Sequence, residues 1–118
     1  MPLQNTFGRY LRELRERCEP MITQEKLGEL VGRKKMTINL IENGKNDPPK
    51  GELLEAFIEA LQLDDEEQIK FRDLAAIARG AVPSDILEYF NEHQALRNAI
   101  RRAQEKKLSE SDWENLIR

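Results

Sequence analysis

Cationic side chains and amides cluster between residues 33 and 50, and both kinds of group suit contact with nucleic acid. Lysine and arginine bind phosphate oxygens, and an asparagine amide can both donate to and accept from the edge of adenine. The cations are Arg33, Lys34, Lys35, Lys45 and Lys50, and Asn39 and Asn43 are amides one helical turn apart. This combination predicts a surface for phosphate contact and base reading.

Such a surface needs a helix whose apolar side chains face the protein core. Ile38 and Ile41 are spaced to share one side of a helix from about Lys35 to Asn43. Successive helical residues are about 100° apart, so four others lie roughly opposite. These are Met36, Asn39, Leu40 and Asn43. Lys34, Lys35 and Thr37 are within reach of that face. We expect Asn39 to read adenine and Lys35 guanine, with Met36 or Leu40 against a thymine methyl.

A preceding helix must position this one. Thr23 can cap its first turn, and Gly32 allows a tight turn at its end. Leu27, Leu30 and Val31 are spaced to face inward.

The two helices and their turn resemble the lambda repressor and Cro-like regulators, often called the XRE family. The match is ungapped from Thr23 to Lys45. The residues that carry it are Thr23, Gln24, Leu27, Gly28, Ile38, Ile41, Glu42 and Gly44. The resemblance implies a DNA-binding helix-turn-helix in a five-helix, all-α bundle. It also implies that Gln24 contacts phosphate and buttresses the recognition helix, and that the helices nearly touch at Gly28.

Three residues depart from the family pattern, and the same pattern also predicts one ion pair. Arg33 replaces an apolar turn residue, and Lys34 replaces a capping Ser or Thr, which predicts weaker capping of the recognition helix. Leu40 stands where relatives often carry Arg or Gln, which implies fewer hydrogen bonds to bases. Relatives also lead us to expect an ion pair between Arg15 and Glu42.

Apolar spacing and punctuation predict eight helices in the whole chain. We expect the first from about Phe7 to Cys18 and the fourth around Leu53 to Leu61. The fifth should end near Arg79, with a capping box at Asp65 and Gln68. Its predicted inward residues are Ile69, Leu74, Ile77 and Ala78.

A boundary is expected at Gly80 to Pro83, which separates a DNA-binding domain, residues 1–80, from a helical extension, residues 81–118. Ser84 or Asp85 can cap the sixth helix, and Ser109 and Ser111 precede the eighth. The seventh carries an apolar stripe of Leu96, Ala99, Ile100 and Ala103.

The charge of the chain is uneven. Its 118 residues carry a net −3. Residues 1–50 hold ten Lys or Arg against seven Asp or Glu, a net +3, whereas residues 51–118 hold nine against fifteen, a net −6. Only the first half suits a polyanion. The sequence has no apolar run long enough to span a membrane and no signal-peptide pattern, so we expect a cytoplasmic protein without a membrane partner.

The residues give little support to catalysis. His93 is the one histidine and Cys18 the one cysteine, and neither has a partner at a spacing typical of a catalytic or metal site. We therefore expect no enzyme activity, cofactor or metal.

The sequence favours a transcription regulator, most simply a repressor that binds a palindromic operator as a homodimer. The extension can supply the dimer contact, or it can cover the chain's own bundle. One alternative is an antitoxin whose acidic second half binds a toxin. Another is a protein-binding adaptor that has lost affinity for DNA.

Overall fold

The computed structural model describes residues 3–117, and side chains from residue 7 onward. Within this range the chain forms eight α-helices and no strand. The helices are α1 (Leu3–Glu16), α2 (Gln24–Val31), α3 (Lys35–Glu42), α4 (Gly51–Leu61), α5 (Asp65–Arg79), α6 (Leu87–Glu92), α7 (Gln94–Lys106) and α8 (Glu110–Ile117). They form two compact units, residues 1–85 with α1 to α5 and residues 86–118 with α6 to α8. None of the helices in residues 3–117 is long and apolar enough to cross a membrane.

The ends of α2 and α3 follow from local chemistry. The Thr23 hydroxyl accepts a hydrogen bond from the Lys26 amide at 3.0 Å, which caps α2 as predicted. α2 ends at Gly32, whose φ of 73° is the left-handed conformation that glycine adopts readily. α3 has no side-chain cap at Lys34, which confirms the expected weaker capping of this helix.

Close approach of backbones explains two glycines. A Cβ atom at Gly28 would lie 2.5 Å from the Arg33 carbonyl oxygen, so α2 and the turn before α3 nearly touch as predicted. A Cβ atom at Gly8 would lie 2.2 Å from the Glu42 carbonyl oxygen, so α1 crosses the end of α3 at a glycine. The spacing of residues in the sequence did not predict this contact between α1 and α3.

The core lies within the first unit. Phe7 of α1 and Phe71 of α5 are fully buried and face each other with ring centroids 4.8 Å apart. The other buried members of this cluster are Leu11, Leu14, Leu27, Val31, Ile38, Ile41, Leu54, Phe57, Ile58, Leu61, Leu63 and Ala75. All of them precede residue 76, so α1 to α5 share one core.

Three side chains predicted to face inward are instead about half exposed, namely Leu30, Ile69 and Ile77. α5 turns Phe71, Ala75 and Ala76 inward, while Leu74 and Ala78 are partly buried. The periodicity of α5 permitted either face. Packing against α1 selects the face that carries the large Phe71 ring.

Several helix ends differ from the predictions. α1 covers Leu3–Glu16, and so starts and stops earlier than expected. The capping box of α5 joins Asp64 and Glu67 rather than Asp65 and Gln68. Both pairs have the required spacing, and burial of Leu63 in the core makes Asp64 the residue that precedes the helix. α6 begins after Ile86 without a side-chain cap.

Candidate nucleic-acid interface

The face of α3 opposite its core residues is open, as its periodicity predicted. Ile38 and Ile41 are buried, whereas Lys35, Met36 and Asn43 are exposed. Thr37, Asn39 and Leu40 are partly buried. α3 therefore offers cationic, amide and apolar groups on one accessible surface.

A buried ion pair holds α3 against α1. Arg15 Nε donates to Glu42 Oε2 at 2.7 Å, and Arg15 Nη2 donates to Glu42 Oε1 at 3.0 Å. The two side chains are only 7% and 3% exposed. The hydrogen bond to Glu42 raises the pKa of the Arg15 guanidinium, which keeps it charged. Arg15 Nη1 also donates to the Ile22 carbonyl at 2.9 Å, so this predicted pair reaches the segment before α2 as well.

Amides extend this buried pair to the open face. The Gln24 amide donates to Glu42 Oε1 at 3.0 Å. Asn39 Nδ2 in turn donates to Gln24 Oε1 at 3.5 Å, and Asn43 Nδ2 donates to Asn39 Oδ1 at 3.2 Å. Both ends of the Asn39 amide are therefore engaged within the protein. The sequence predicted the Arg15–Glu42 pair, and the family resemblance predicted that Gln24 supports α3, but the hydrogen bonds of Asn39 were not predicted.

Four of the predicted contact residues border a single cleft, namely Gln24, Lys35, Asn39 and Asn43. Arg12 of α1 borders it too, with its side chain 64% exposed and paired with Glu16 at 3.2 Å. No local pattern separates it from other exposed arginines, because its position depends on how α1 crosses α3.

The remaining predicted cations flank α3 on the surface. Arg33 and Lys34 lie in the turn before it, and Lys45 and Lys50 lie in the loop after it. All four are exposed. The loop is anchored beneath them, because Pro48 is buried and its carbonyl accepts a 2.7 Å hydrogen bond from Arg79 of α5.

Residues 6–71 match a family model described as a helix-turn-helix domain. The chain belongs to this helix-turn-helix family. The matched residues make up more than half of the chain, and they include every predicted contact residue. Within this helix-turn-helix domain, α2 and α3 are the paired helices. No curated protein and no solved structure matches the chain.

Helix-turn-helix domains are DNA-binding modules of regulators and are generally not enzymes. In the described part of this helix-turn-helix protein, no group of three or more His, Cys, Asp or Glu side chains could hold a metal ion. The His93 ring stacks on Tyr89 at 4.0 Å, and its Nδ1 lies 2.8 Å from the Tyr89 carbonyl oxygen at an exposed helix end. The cationic and amide surface around α3 is thus the site from which function is argued.

Proposed function

We propose that this helix-turn-helix protein is a transcription repressor of the lambda repressor and Cro-like type that binds a palindromic operator as a homodimer. One observation carries the proposal. The open face of α3 is linked through Asn39, Gln24 and Glu42 to a buried ion pair with Arg15. A helix held in this way can enter the major groove without first being ordered, which lowers the cost of binding.

Base reading falls to the side chains on that face. Asn39 exchanges its two intramolecular hydrogen bonds for two bonds to adenine, so the bidentate contact leaves no amide group of Asn39 unpaired. Lys35 donates to guanine at the start of α3, and Met36 or Leu40 packs on a thymine methyl. Thr37 and Asn43 lie within reach of neighbouring bases.

Phosphate contacts surround these readers. Gln24 is the first residue of α2, where free backbone amides also favour an anion. The exposed cations on either side of α3 are Arg33, Lys34, Lys45 and Lys50. Their charge is local, so the net −3 of the whole chain does not oppose binding at this face.

A homodimer supplies the length of site that one helix cannot read. A single α3 covers a few base pairs, whereas two copies read half-sites one DNA turn apart, a spacing of about 34 Å. Residues 86–118 are the proposed dimer contact, because many of their large apolar side chains are exposed.

The first test is selection of bound fragments from source genomic DNA, followed by titration of the selected site. We expect one palindrome. Asn39→Ala should weaken specific binding about 5- to 150-fold for each protomer, the range for one bidentate base contact, whereas Glu59→Ala, at an exposed position of α4, should leave it unchanged. Lys50→Gln should lower the salt slope by about 0.9 for each protomer, as expected for one lost phosphate contact.

Two results would contradict the operator model. One is a folded protein that enriches no sequence above nonspecific DNA. The other is equal loss of affinity in Asn39→Ala and Glu59→Ala, which would show that the effect is not a base contact.

The antitoxin alternative rests on an acidic second half, and the acidic excess is not spread evenly over it. Residues 51–85 hold nine Asp or Glu against three Lys or Arg, whereas residues 86–118 hold six of each. The charge of residues 86–118 therefore gives no particular support to toxin binding there.

A further inference from the structure

The second unit exposes more apolar surface than it buries. Ala103 is the one buried apolar residue among its described positions, with Phe90, Leu96 and Trp113 partly buried. The exposed large apolar residues are Ile86, Leu87, Tyr89, Ile100, Leu108, Leu116 and Ile117. A unit of this size rarely builds a sufficient core alone, so a partner surface is needed to cover these side chains.

α7 and α8 carry matching patterns of opposite charge. On α7, at about 100° per residue, the apolar stripe through Ile100 and Ala103 is bordered by cations on both sides. Arg97 borders the stripe on one side, and Lys106 and Arg102 border it on the other, while Arg101 lies on the far face. On α8 the apolar stripe is bordered by carboxylates on both sides. The stripe consists of Trp113, Leu116 and Ile117, and the carboxylates are Glu110, Asp112 and Glu114.

These complementary faces are only partly covered within the unit, where Ala103 is buried and Trp113 is partly buried. α7 packs mainly on α6. Leu116 and Ile117 are 63% and 86% exposed. Among the described residues of this unit, no ion pair within 4.0 Å joins an acidic to a basic side chain. α7 ends at Lys107 with φ of 55°, and reciprocal Ser109–Asp112 hydrogen bonds of 2.9 and 3.1 Å then start α8 as a separate helix.

We propose that the missing cover is a second copy of this chain, with α8 of each protomer packed on α7 of the other. This deepens the proposed homodimer and rests on it. Two-fold symmetry makes the contact twice, so both apolar stripes are covered at once. Charge selects this pairing over the alternatives, because α7 against α7 opposes cations and α8 against α8 opposes carboxylates. The equal numbers of basic and acidic residues in the unit also favour a copy of itself over a polyanion.

The test uses two full-length variants of reversed charge and the single tryptophan, Trp113, as reporter. Variant one carries Arg102→Glu and Lys106→Glu, and variant two carries Glu110→Lys and Glu114→Lys. Each alone places like charges across the interface, so we expect the dimer Kd to rise at least about tenfold. When dilution dissociates the dimer and exposes Trp113 to water, the Trp113 fluorescence emission should shift to longer wavelengths. An equal mixture should restore dimers, as heterodimers, together with the parental emission.

The control carries Glu52→Lys and Glu59→Lys, exposed residues of α4 with the same change in net charge as variant two. It should dimerise as the parent does. Restoration in the mixture also shows that both variants are folded, because a misfolded chain cannot complement its partner.

Three outcomes would overturn the pairing. A monomer whose Trp113 emission is independent of concentration would show that the chain covers these faces itself. A dimer that both variants leave intact would place the contact elsewhere, while operator binding would still stand. Loss of DNA affinity in variant one with unchanged dimerisation would show that α7 faces phosphate instead. Conversely, a dimer that behaves as expected but binds no operator would support the pairing and refute the repressor.

Discussion

At the scale of single residues, Glu42 connects the core to the open surface. Its carboxylate accepts hydrogen bonds from both Arg15 and Gln24 while almost fully buried. Desolvation of a charged pair is costly, and removal of one partner leaves the other charge uncompensated. We therefore expect Glu42 to matter both for stability and for the placement of Asn39.

The buried pair can be tested with apolar replacements. Arg15→Met and Glu42→Leu should each lower the free energy of unfolding by about 3 to 5 kcal/mol, because each leaves one buried charge without a partner. The double variant should lose much less than the sum. Urea denaturation measures all three, and Arg12→Met, which removes an exposed partner of Glu16, should cost less than about 1 kcal/mol. Strict additivity would refute the coupling.

Gly8→Ala gives a second prediction at the scale of single residues, and the sign of the change in stability is informative. Helix propensity alone predicts that Gly8→Ala stabilises α1 by about 1 kcal/mol. The added Cβ would lie 2.2 Å from the Glu42 carbonyl oxygen, so we expect a loss of about 1 to 3 kcal/mol instead. Thermal unfolding measures the change, with Arg9→Ala on the exposed side of α1 as control. A stabilised Gly8→Ala protein would contradict the close crossing of α1 and α3.

At the scale of elements, α3 is short and lacks a side-chain cap at Lys34. A cation at this position is unfavourable for the helix end, because helix N-termini carry partial positive charge. The same cation is useful beside a phosphate. We infer that the start of α3 gives up stability in favour of charge at the interface.

Lys34→Ser separates these two effects. The hydroxyl can cap α3, so we expect the free energy of unfolding to rise by about 0.5 to 1 kcal/mol. Loss of the charge should at the same time lower the salt slope of operator binding by about 0.9 for each protomer. Lys26 is an exposed lysine inside α2, and Lys26→Ser serves as the control. It should neither raise the free energy of unfolding nor lower the salt slope of operator binding. Increased stability with an unchanged salt slope would remove Lys34 from the phosphate contacts.

Glu67 joins α5 to α1, and its ionisation makes the stability of the fold depend on pH. Its carboxylate pairs with Arg17 of α1 and completes the capping box with Asp64. The hydrogen bonds from Arg17 and the Asp64 backbone lower the pKa of Glu67 below its ordinary value of 4.5. A lowered folded-state pKa stabilises the fold above that value, and the contribution is lost as pH falls through and below it.

Glu67→Gln should therefore reduce stability at pH 7 by at most about 1 kcal/mol, since Arg17 is half exposed to solvent. The difference from the parent should shrink as the pH falls below 4.5. Denaturation at a series of pH values measures it, with the neighbouring exposed Glu66→Gln as control. A difference that persists unchanged into acid would show that the carboxylate charge is not involved.

At the scale of the whole molecule, the buried core and most of the exposed apolar side chains of α6 to α8 belong to different units. The first unit contains the apolar core, and the second exposes most of its large apolar side chains. Their charges differ as well. The first unit combines a +3 segment, residues 1–50, with a −6 segment, residues 51–85, whereas residues 86–118 are neutral.

A chain ending at Asp85 should separate folding from assembly. We expect residues 1–85 to unfold cooperatively, because they keep the whole core. They should bind a half-site with about half the salt slope of the parental dimer on the full operator, because one protomer makes half of the phosphate contacts. Self-association should be lost, and affinity for the full operator should fall at least about 100-fold without the linked second site. A truncated chain that still dimerises would exclude residues 86–118 as the dimer contact.

Local patterns predicted much of this protein. The cap of α2 and the turn before α3 depend on local residues, Thr23 with Lys26 and the glycine at Gly32, so the sequence located both helices. The inward face of α3 was also predicted correctly, from the spacing of Ile38 and Ile41. The inward face of α5 was only partly right: Leu74 packs against the core, but Ile69 and Ile77 are about half exposed, since the apolar residues surround the helix and the sequence does not say which side meets α1.

The sequence by itself determined the all-helical class, the helix-turn-helix and the types of side chain available at its surface, because these depend on interactions within one or two turns. Only the tertiary structure decided which long-range partners meet. It placed Glu42 between Arg15 and Gln24 and set Gly8 against the end of α3. It also left the basic side chains of α7 and the acidic side chains of α8 without ion pairs to one another. Those outcomes depend on the crossing of helices that are distant in the chain, for which sequence spacing carries no direct signal.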